Sequence, residues 1–228
     1  MLALAPDRLS VFGYAHMPQL FKMRRQMDAA ALPSPMVRLA ILRRVVERLT
    51  GAGYMYIGMD HFALPTDELA VAQAQRTLHR NFHGYGTCAE CDLIAFGASS
   101  IGKERNVYAQ NAKDLAGYNA VIDAGRLALT RSVRLTADDR VRRDIITQPM
   151  CNPELRFDEF EAAYGIRFAE TFTPELERLR GFAQDGLVSI GGGKLEVLTA
   201  GRMLVRNIAM VFDRYLGQQT MERFSRTV

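Results

Sequence analysis

The sequence predicts an α/β fold built on a parallel sheet and followed by a second, mainly helical unit. Three observations lead there. Residues 7–59 read as strand, helix and strand in succession, the order that parallel strands joined by a crossover helix require. A further apolar stretch runs into a small-residue loop, Gly97-Ala98-Ser99-Ser100-Ile101-Gly102. Beyond about Arg134 the pattern changes to helices and one glycine-centred hairpin, dividing the chain into units 1–133 and 134–228.

In the first unit, Asp7 to Tyr14 combine β-branched and aromatic residues before Gly13, which predicts a short strand. Ser34-Pro35 opens a helix, because a hydroxyl caps free backbone N–H groups and proline suits the first turn. Val37, Ile41, Val45, Val46 and Leu49 then recur at helical spacing until Gly51 and Gly53. Tyr54 to Met59 predicts the next strand, Asp67 to Leu78 a helix, and Asp92 to Gly102 a buried strand.

In the second unit, Thr136 caps a helix running to about Met150, and Thr173-Pro174-Glu175 starts another. Leu187–Ile190 and Lys194–Leu198 flank Gly191-Gly192-Gly193, a hairpin with a permissive turn. Thr199 is expected to cap a last helix carrying Leu204, Ile208, Val211, Phe212 and Tyr215. Helix, hairpin and helix in this order resemble a winged helix. Arg202, Arg206 and Arg214 are interrupted by apolar positions and Asp213, so the basic stripe that phosphate binding needs is missing and no nucleic-acid partner is expected.

Composition bounds the class. The 228 residues are 48% hydrophobic and 24% charged, enough for one sizeable domain or two small ones. No apolar run approaches the roughly 20 residues that cross a bilayer, and Met1 to Pro6 form no export leader, so the chain reads as cytoplasmic with no membrane span. Three cysteines, Cys88, Cys91 and Cys151, argue against a disulfide scaffold. The net charge of +4 is mild and compatible with an anionic substrate or with solvated helix faces.

The densest chemistry lies between Gly58 and Tyr85. Strand ends in parallel α/β sheets converge on ligands, which places Tyr14-Ala15-His16, Asp60-His61-Phe62 and the Gly97–Gly102 loop around one pocket. Asp60 and His61 have the chemistry of an acid and base pair, although neighbouring strand residues point to opposite faces. His79 and His83 would share a face if helical, but Gly84-Tyr85-Gly86 follows at once, and substrate contact or loop structure reads better than metal. Cys88-Ala89-Glu90-Cys91 has metal or redox spacing, yet a closed site wants four ligands, so incidental thiols are the simpler reading. No metal site is assigned, and no serine or cysteine nucleophile or phosphate loop is found.

Taken together, Val11–His16, Gly58–Ala63, Leu78–Tyr85, Tyr108-Ala109-Gln110-Asn111 and Arg206-Asn207-Ile208 resemble the oxygen-independent coproporphyrinogen III oxidase family across essentially the whole chain. The resemblance implies the C-terminal part of an incomplete parallel (β/α) radical S-adenosylmethionine (SAM) barrel, followed by a mainly helical, winged-helix-like C-terminal domain. It implies an anaerobic step of haem synthesis, in which two propionates of coproporphyrinogen III are oxidatively decarboxylated to give protoporphyrinogen IX. The implied cofactors are SAM and a 4Fe-4S cluster, with an unidentified electron donor.

The family's C-x-x-x-C-x-x-C cluster motif is absent here, and the spacing of Cys88, Cys91 and Cys151 does not replace it. The chain therefore resembles the C-terminal half of the enzyme, expected to need the N-terminal half as partner and to be inactive alone. By resemblance Ala15 and Ile101 contact SAM, while Tyr14, His16, Asp60, His61, Arg80, Phe82 and His83 line the SAM or substrate pocket; no catalytic residue is assigned. His83 departs from the glutamine more common in relatives. Arg24, Arg25, Arg80 and Arg105 are the candidates to meet propionates. The alternative is a non-catalytic haem-binding chaperone relative or a winged-helix binding module.

Overall fold

The structure is a computed structural model and describes residues 2–81, 83–89 and 91–216. The first sheet has the order β1 (Arg8–Ser10), β3 (His61–Ala63), β2 (Met55–Gly58), with α1 (Pro35–Thr50) between β1 and β2 in sequence. Ser34 accepts from the Val37 N–H at the start of α1, as its sequence predicts. β1 and β2 run in the same direction, as a strand–helix–strand unit demands, but β3 lies between them and pairs antiparallel with both.

This corrects the expected parallel pairing, and the cause is local. Gly58 and Met59 have φ of +154° and +54°, so the chain reverses immediately and returns as β3. Every strand pair among the described residues is antiparallel. Alternation along the hairpin sorts its side chains. Tyr56 and Phe62 pack with Leu49 and Tyr54 on one face, whereas Ile57 and Ala63 pack with Leu69, Leu78 and Cys151 on the other.

α2 (Glu68–Ala74) is capped by Asp67 and stops before Leu78, because Arg76 takes φ of +60°. β4 (His79–Asn81) and β5 (Gly84–Gly86) form a hairpin, so His79 and His83 share no helical face. The third sheet, β6 (Ile101–Glu104), β7 (Val107–Asn111) and β8 (Leu129–Arg134), has α3 (Leu115–Asp123) between β7 and β8. Of the expected buried strand at Asp92–Gly102 only the end forms, where Ile101 and Gly102 open β6. Before it Leu93 makes an isolated bridge to Lys103, and Ile94 and Phe96 are 77% and 83% exposed, so apolarity there is not burial.

The second unit begins at α4 (Ala137–Cys151), where Thr136 and Asp139 form a reciprocal capping box. β9 (Glu154–Arg156), α5 (Phe157–Tyr164), α6 (Phe168–Thr171) and α7 (Thr173–Gln184) lead to the hairpin β10 (Val188–Gly191) and β11 (Lys194–Val197). Gly192 and Gly193 turn it with φ of +59° and +74°, the left-handed pair a two-residue reversal requires. β9 adds a third strand that the sequence did not announce. Thr199 does not cap the last helix: a 3-10 turn, Gly201–Leu204, intervenes before α8 (Val205–Met210). Phe168, Phe172, Leu179, Leu195, Ile208 and Phe212 are at most 0% exposed and form the centre of the largest core. Each such side chain contributes about 1.5–3 kcal/mol by burial.

Candidate functional site

The β2–β3 turn and the β4–β5 hairpin meet, and their meeting builds the site. Asp60 sits in the turn, where its carbonyl accepts from the Val11 N–H at 2.8 Å. Its carboxylate lies 2.9 Å from His61 Nδ1. The alternation that would separate these two side chains applies only within a strand, and Asp60 is outside β3, so the pair forms. A carboxylate only accepts, which assigns the Nδ1 proton to His61 and leaves Nε2 facing the Gly84 backbone. The imidazole is held edge-on between the Phe12 and Tyr85 rings, at centroid distances of 6.0 and 5.1 Å.

Tyr85 and Arg80 are directly opposite each other in the hairpin, with the guanidinium 5.6 Å from the ring centroid. The Tyr85 hydroxyl donates to the Met150 carbonyl at 2.8 Å and packs against Gly58, where no side chain has room. Burial pushes the Tyr85 phenol well above its ordinary range. Burial also pushes the Cys151 thiol up to about 12, against a smaller opposing effect of Arg80.

The second unit fastens this corner. Gln73 Nε2 donates to the carbonyls of Ile57 and Cys151, at 2.6 and 3.1 Å. Arg202 donates to the Tyr56 carbonyl and stacks 5.1 Å from the Tyr56 ring centroid. Burial, opposed by the Arg202 charge, raises the Tyr56 phenol to about 12. Gln73, Gly58, Phe12 and Arg202 were not singled out as site residues from sequence. Gly58 and Phe12 carried a signal, as members of the Gly58–Ala63 and Val11–His16 motifs.

Tyr14, Ala15 and His16 form their own group. They lie in irregular backbone beyond β1, and Tyr14 is 45% exposed. The Tyr14 hydroxyl is 3.4 Å from His16 Nδ1, and Arg24 stacks on Tyr14 while donating to the Ala15 carbonyl. Arg25 donates to the Pro18 carbonyl. The Val11–Asp60 hydrogen bond and the Phe12 ring link this group to His61.

Ile101 belongs to the third sheet, opposite Gln110. The loop before it is pinned by Asn111, buried and donating to the Gly97 carbonyl at 2.9 Å, and by Gln110, donating to the Ser99 carbonyl at 3.0 Å. The Tyr108–Asn111 motif thus shapes the Ser99-Ser100-Ile101 exit. His83 is exposed and its N–H is taken by Asn81 Oδ1; Phe82 lies outside the described residues.

The cysteines do not fit a cluster. Cys151 is buried and protonated near neutral pH, Cys88 and Cys91 are exposed, and no group of three or more His, Cys, Asp and Glu among the described residues is arranged to hold a metal ion. Ala15 and Ile101 are partly exposed. No helix among the described residues is long and apolar enough to cross a membrane.

Residues 135–204 match the HemN C-terminal domain model. The chain is 48% identical to an oxygen-independent coproporphyrinogen III oxidase of Pseudomonas aeruginosa, over 100% of this chain and 50% of that protein. It is 44% identical to a protein of the same name from Thermostichus vulcanus, over 100% of this chain and 70% of the relative. A solved structure of the Escherichia coli coproporphyrinogen III oxidase HemN, described as a radical SAM enzyme, superposes with a TM-score of 0.89 at 46% identity, covering 94% of this chain and 49% of that one. The chain thus spans about half the length of several of the curated relatives it matches. Similarity at this level along its whole length places the chain in the oxygen-independent coproporphyrinogen III oxidase family.

Proposed function

We propose that this chain supplies the substrate-side half of an oxygen-independent coproporphyrinogen III oxidase, acting in the cytoplasm in anaerobic haem synthesis. The reaction is the SAM-dependent oxidative decarboxylation of two propionates of coproporphyrinogen III to vinyl groups, giving protoporphyrinogen IX. The observation that carries this reading is identity of 44% along the whole chain to a relative of which it covers 70%. Residues 1–133 are the later part of a radical SAM barrel, and 134–228 a helical domain whose hairpin recurs in winged-helix folds.

Cys88, Cys91 and Cys151 leave radical generation to the other half of the enzyme, which carries the 4Fe-4S cluster and receives electrons from a separate donor. When bound, SAM supplies the hydrogen-abstracting group. Ala15 and Ile101 border it, Tyr14 and His16 line the approach, and His61, oriented by Asp60, presents a fixed imidazole to the substrate. The chain alone is inactive.

Anaerobic assay with SAM, a reductant and coproporphyrinogen III, read as protoporphyrin fluorescence after oxidation, tests this. No product is expected from the chain alone, and product is expected when the N-terminal half of the Pseudomonas aeruginosa relative is added. Cluster binding and turnover by the chain alone would overturn the division of labour.

A further inference from the structure

Arg80 is a half-buried cation in β4, and no carboxylate among the described residues forms an ion pair with it. Its Nε, like that of Arg38 in α1, is buried and has no hydrogen-bond partner among the described residues, and of the two only Arg80 lies in the site hairpin. The groups it faces are neutral: Tyr85, opposite it in the hairpin, and the Cys151 thiol, both kept protonated by burial. Asp60, a carboxylate of this corner, is engaged by His61 at 2.9 Å.

Arg142 shows what this fold does with a comparable arginine. It is met by Asp138 and Glu175 at 2.9 and 2.8 Å and by the Phe212 carbonyl at 3.0 Å. Withdrawing a guanidinium from water without an acceptor is unfavourable, so a site that holds one this way is prepared for an anion from outside. A guanidinium fork matches a carboxylate in two parallel hydrogen bonds. The ring of Tyr85 beside it, and that of Phe12 beyond His61, suit a carboxylate carried on an apolar body.

We infer that Arg80 anchors one propionate carboxylate of the tetrapyrrole, binding it without taking part in bond breaking. The inference rests on the function proposed above and assigns its carboxylate contact to one residue among four candidate arginines. Arg24 and Arg25 are committed to backbone carbonyls, which leaves Arg80 better placed than either.

The test titrates the 228-residue chain with coproporphyrin III, the air-stable tetracarboxylate, and with its neutral tetraamide, following porphyrin fluorescence. R80Q should lose about tenfold or more in affinity for the acid and bind the amide as the unmodified chain does; R80K should retain part of the acid affinity. Acid binding by R80Q equal to that of the unmodified chain would overturn the anchor while sparing the porphyrin reading. Equal losses for acid and amide in both variants would show a structural effect and overturn it too. Failure of the unmodified chain to bind either porphyrin even with the N-terminal half of the Pseudomonas aeruginosa relative added would overturn the functional reading itself.

Discussion

The Tyr85 hydroxyl donates a 2.8 Å hydrogen bond to the Met150 carbonyl, tying a site hairpin to the last turn of α4. Carbonyls in the final turn of a helix have no partner within the helix, so something else must satisfy them. Here Tyr85 takes Met150 and Gln73 takes Cys151. The helix end is thereby capped by the site, and the site is positioned by the helix end.

Replacing Tyr85 with Phe removes the donor and leaves a buried carbonyl unsatisfied. The expected loss is about 1–3 kcal/mol, read as a lower urea midpoint at unchanged slope. A midpoint indistinguishable from the parent would show that water replaces the phenol.

Gly58→Ala forces a side chain onto a backbone at φ +154° and places its Cβ 2.5 Å from Tyr85 Oη and 3.0 Å from the Met150 carbonyl. Destabilisation of about 1–3 kcal/mol is expected from the strain, with the clash added. Removing Oη relieves the closest contact, so G58A should cost less in the Y85F background than alone. Strictly additive effects in the double mutant would contradict this geometry.

Gly192 has φ +59° and an open surround, the first position of a left-handed two-residue turn. Gly192→Asn, which tolerates that conformation and has fewer unfolded states, should stabilise the chain by about 0.4–1 kcal/mol. Thermal unfolding would register it, and a fall in Tm would exclude this turn geometry.

Thiol chemistry should separate the three cysteines. Near pH 8, Cys88 and Cys91 should react with a disulfide reagent at once, and Cys151 only on unfolding. Burial raises the Cys151 thiol from an ordinary value near 9 to about 12. The unfolded chain therefore loses this proton first as pH climbs. The stability this group lends is complete below about pH 9 and is lost as pH rises toward 12, with Tyr56 acting in the same direction from about 10 to 12. Urea midpoints across that range should fall less steeply in Cys151→Ala.

Much of this was legible where local chemistry decides structure. The hydroxyl caps at Ser34 and Thr136 and the turn at Gly192-Gly193 are short-range signals, and each holds. The strand order was not legible, because nothing in a strand–helix–strand pattern reveals that Gly58-Met59 reverses the chain and slips β3 between the two strands. Ile94 and Phe96 misled for a different reason: an apolar run states a preference for burial, and the surface that would bury it is not supplied by its neighbours in sequence. At the site, Asp60 and His61 could be named from composition, but their contact depended on Asp60 falling in the turn. Arg80 illustrates the reverse, since its lack of an acceptor appears only once Tyr85 and Cys151 are packed around it.

The hydrogen bond from Arg202 to Tyr56 spans 146 positions of sequence and gives synthesis a direction. A ribosome releases the β2–β3 hairpin long before it makes the arginine that secures it. At about 10 residues per second the delay is roughly 15 seconds. During that interval the Tyr56 carbonyl has only solvent to meet the need that Arg202 later fills. The β2–β3 corner is thus finished by a stretch of chain made long after it, and an interrupted message would yield hairpins with nothing to close them.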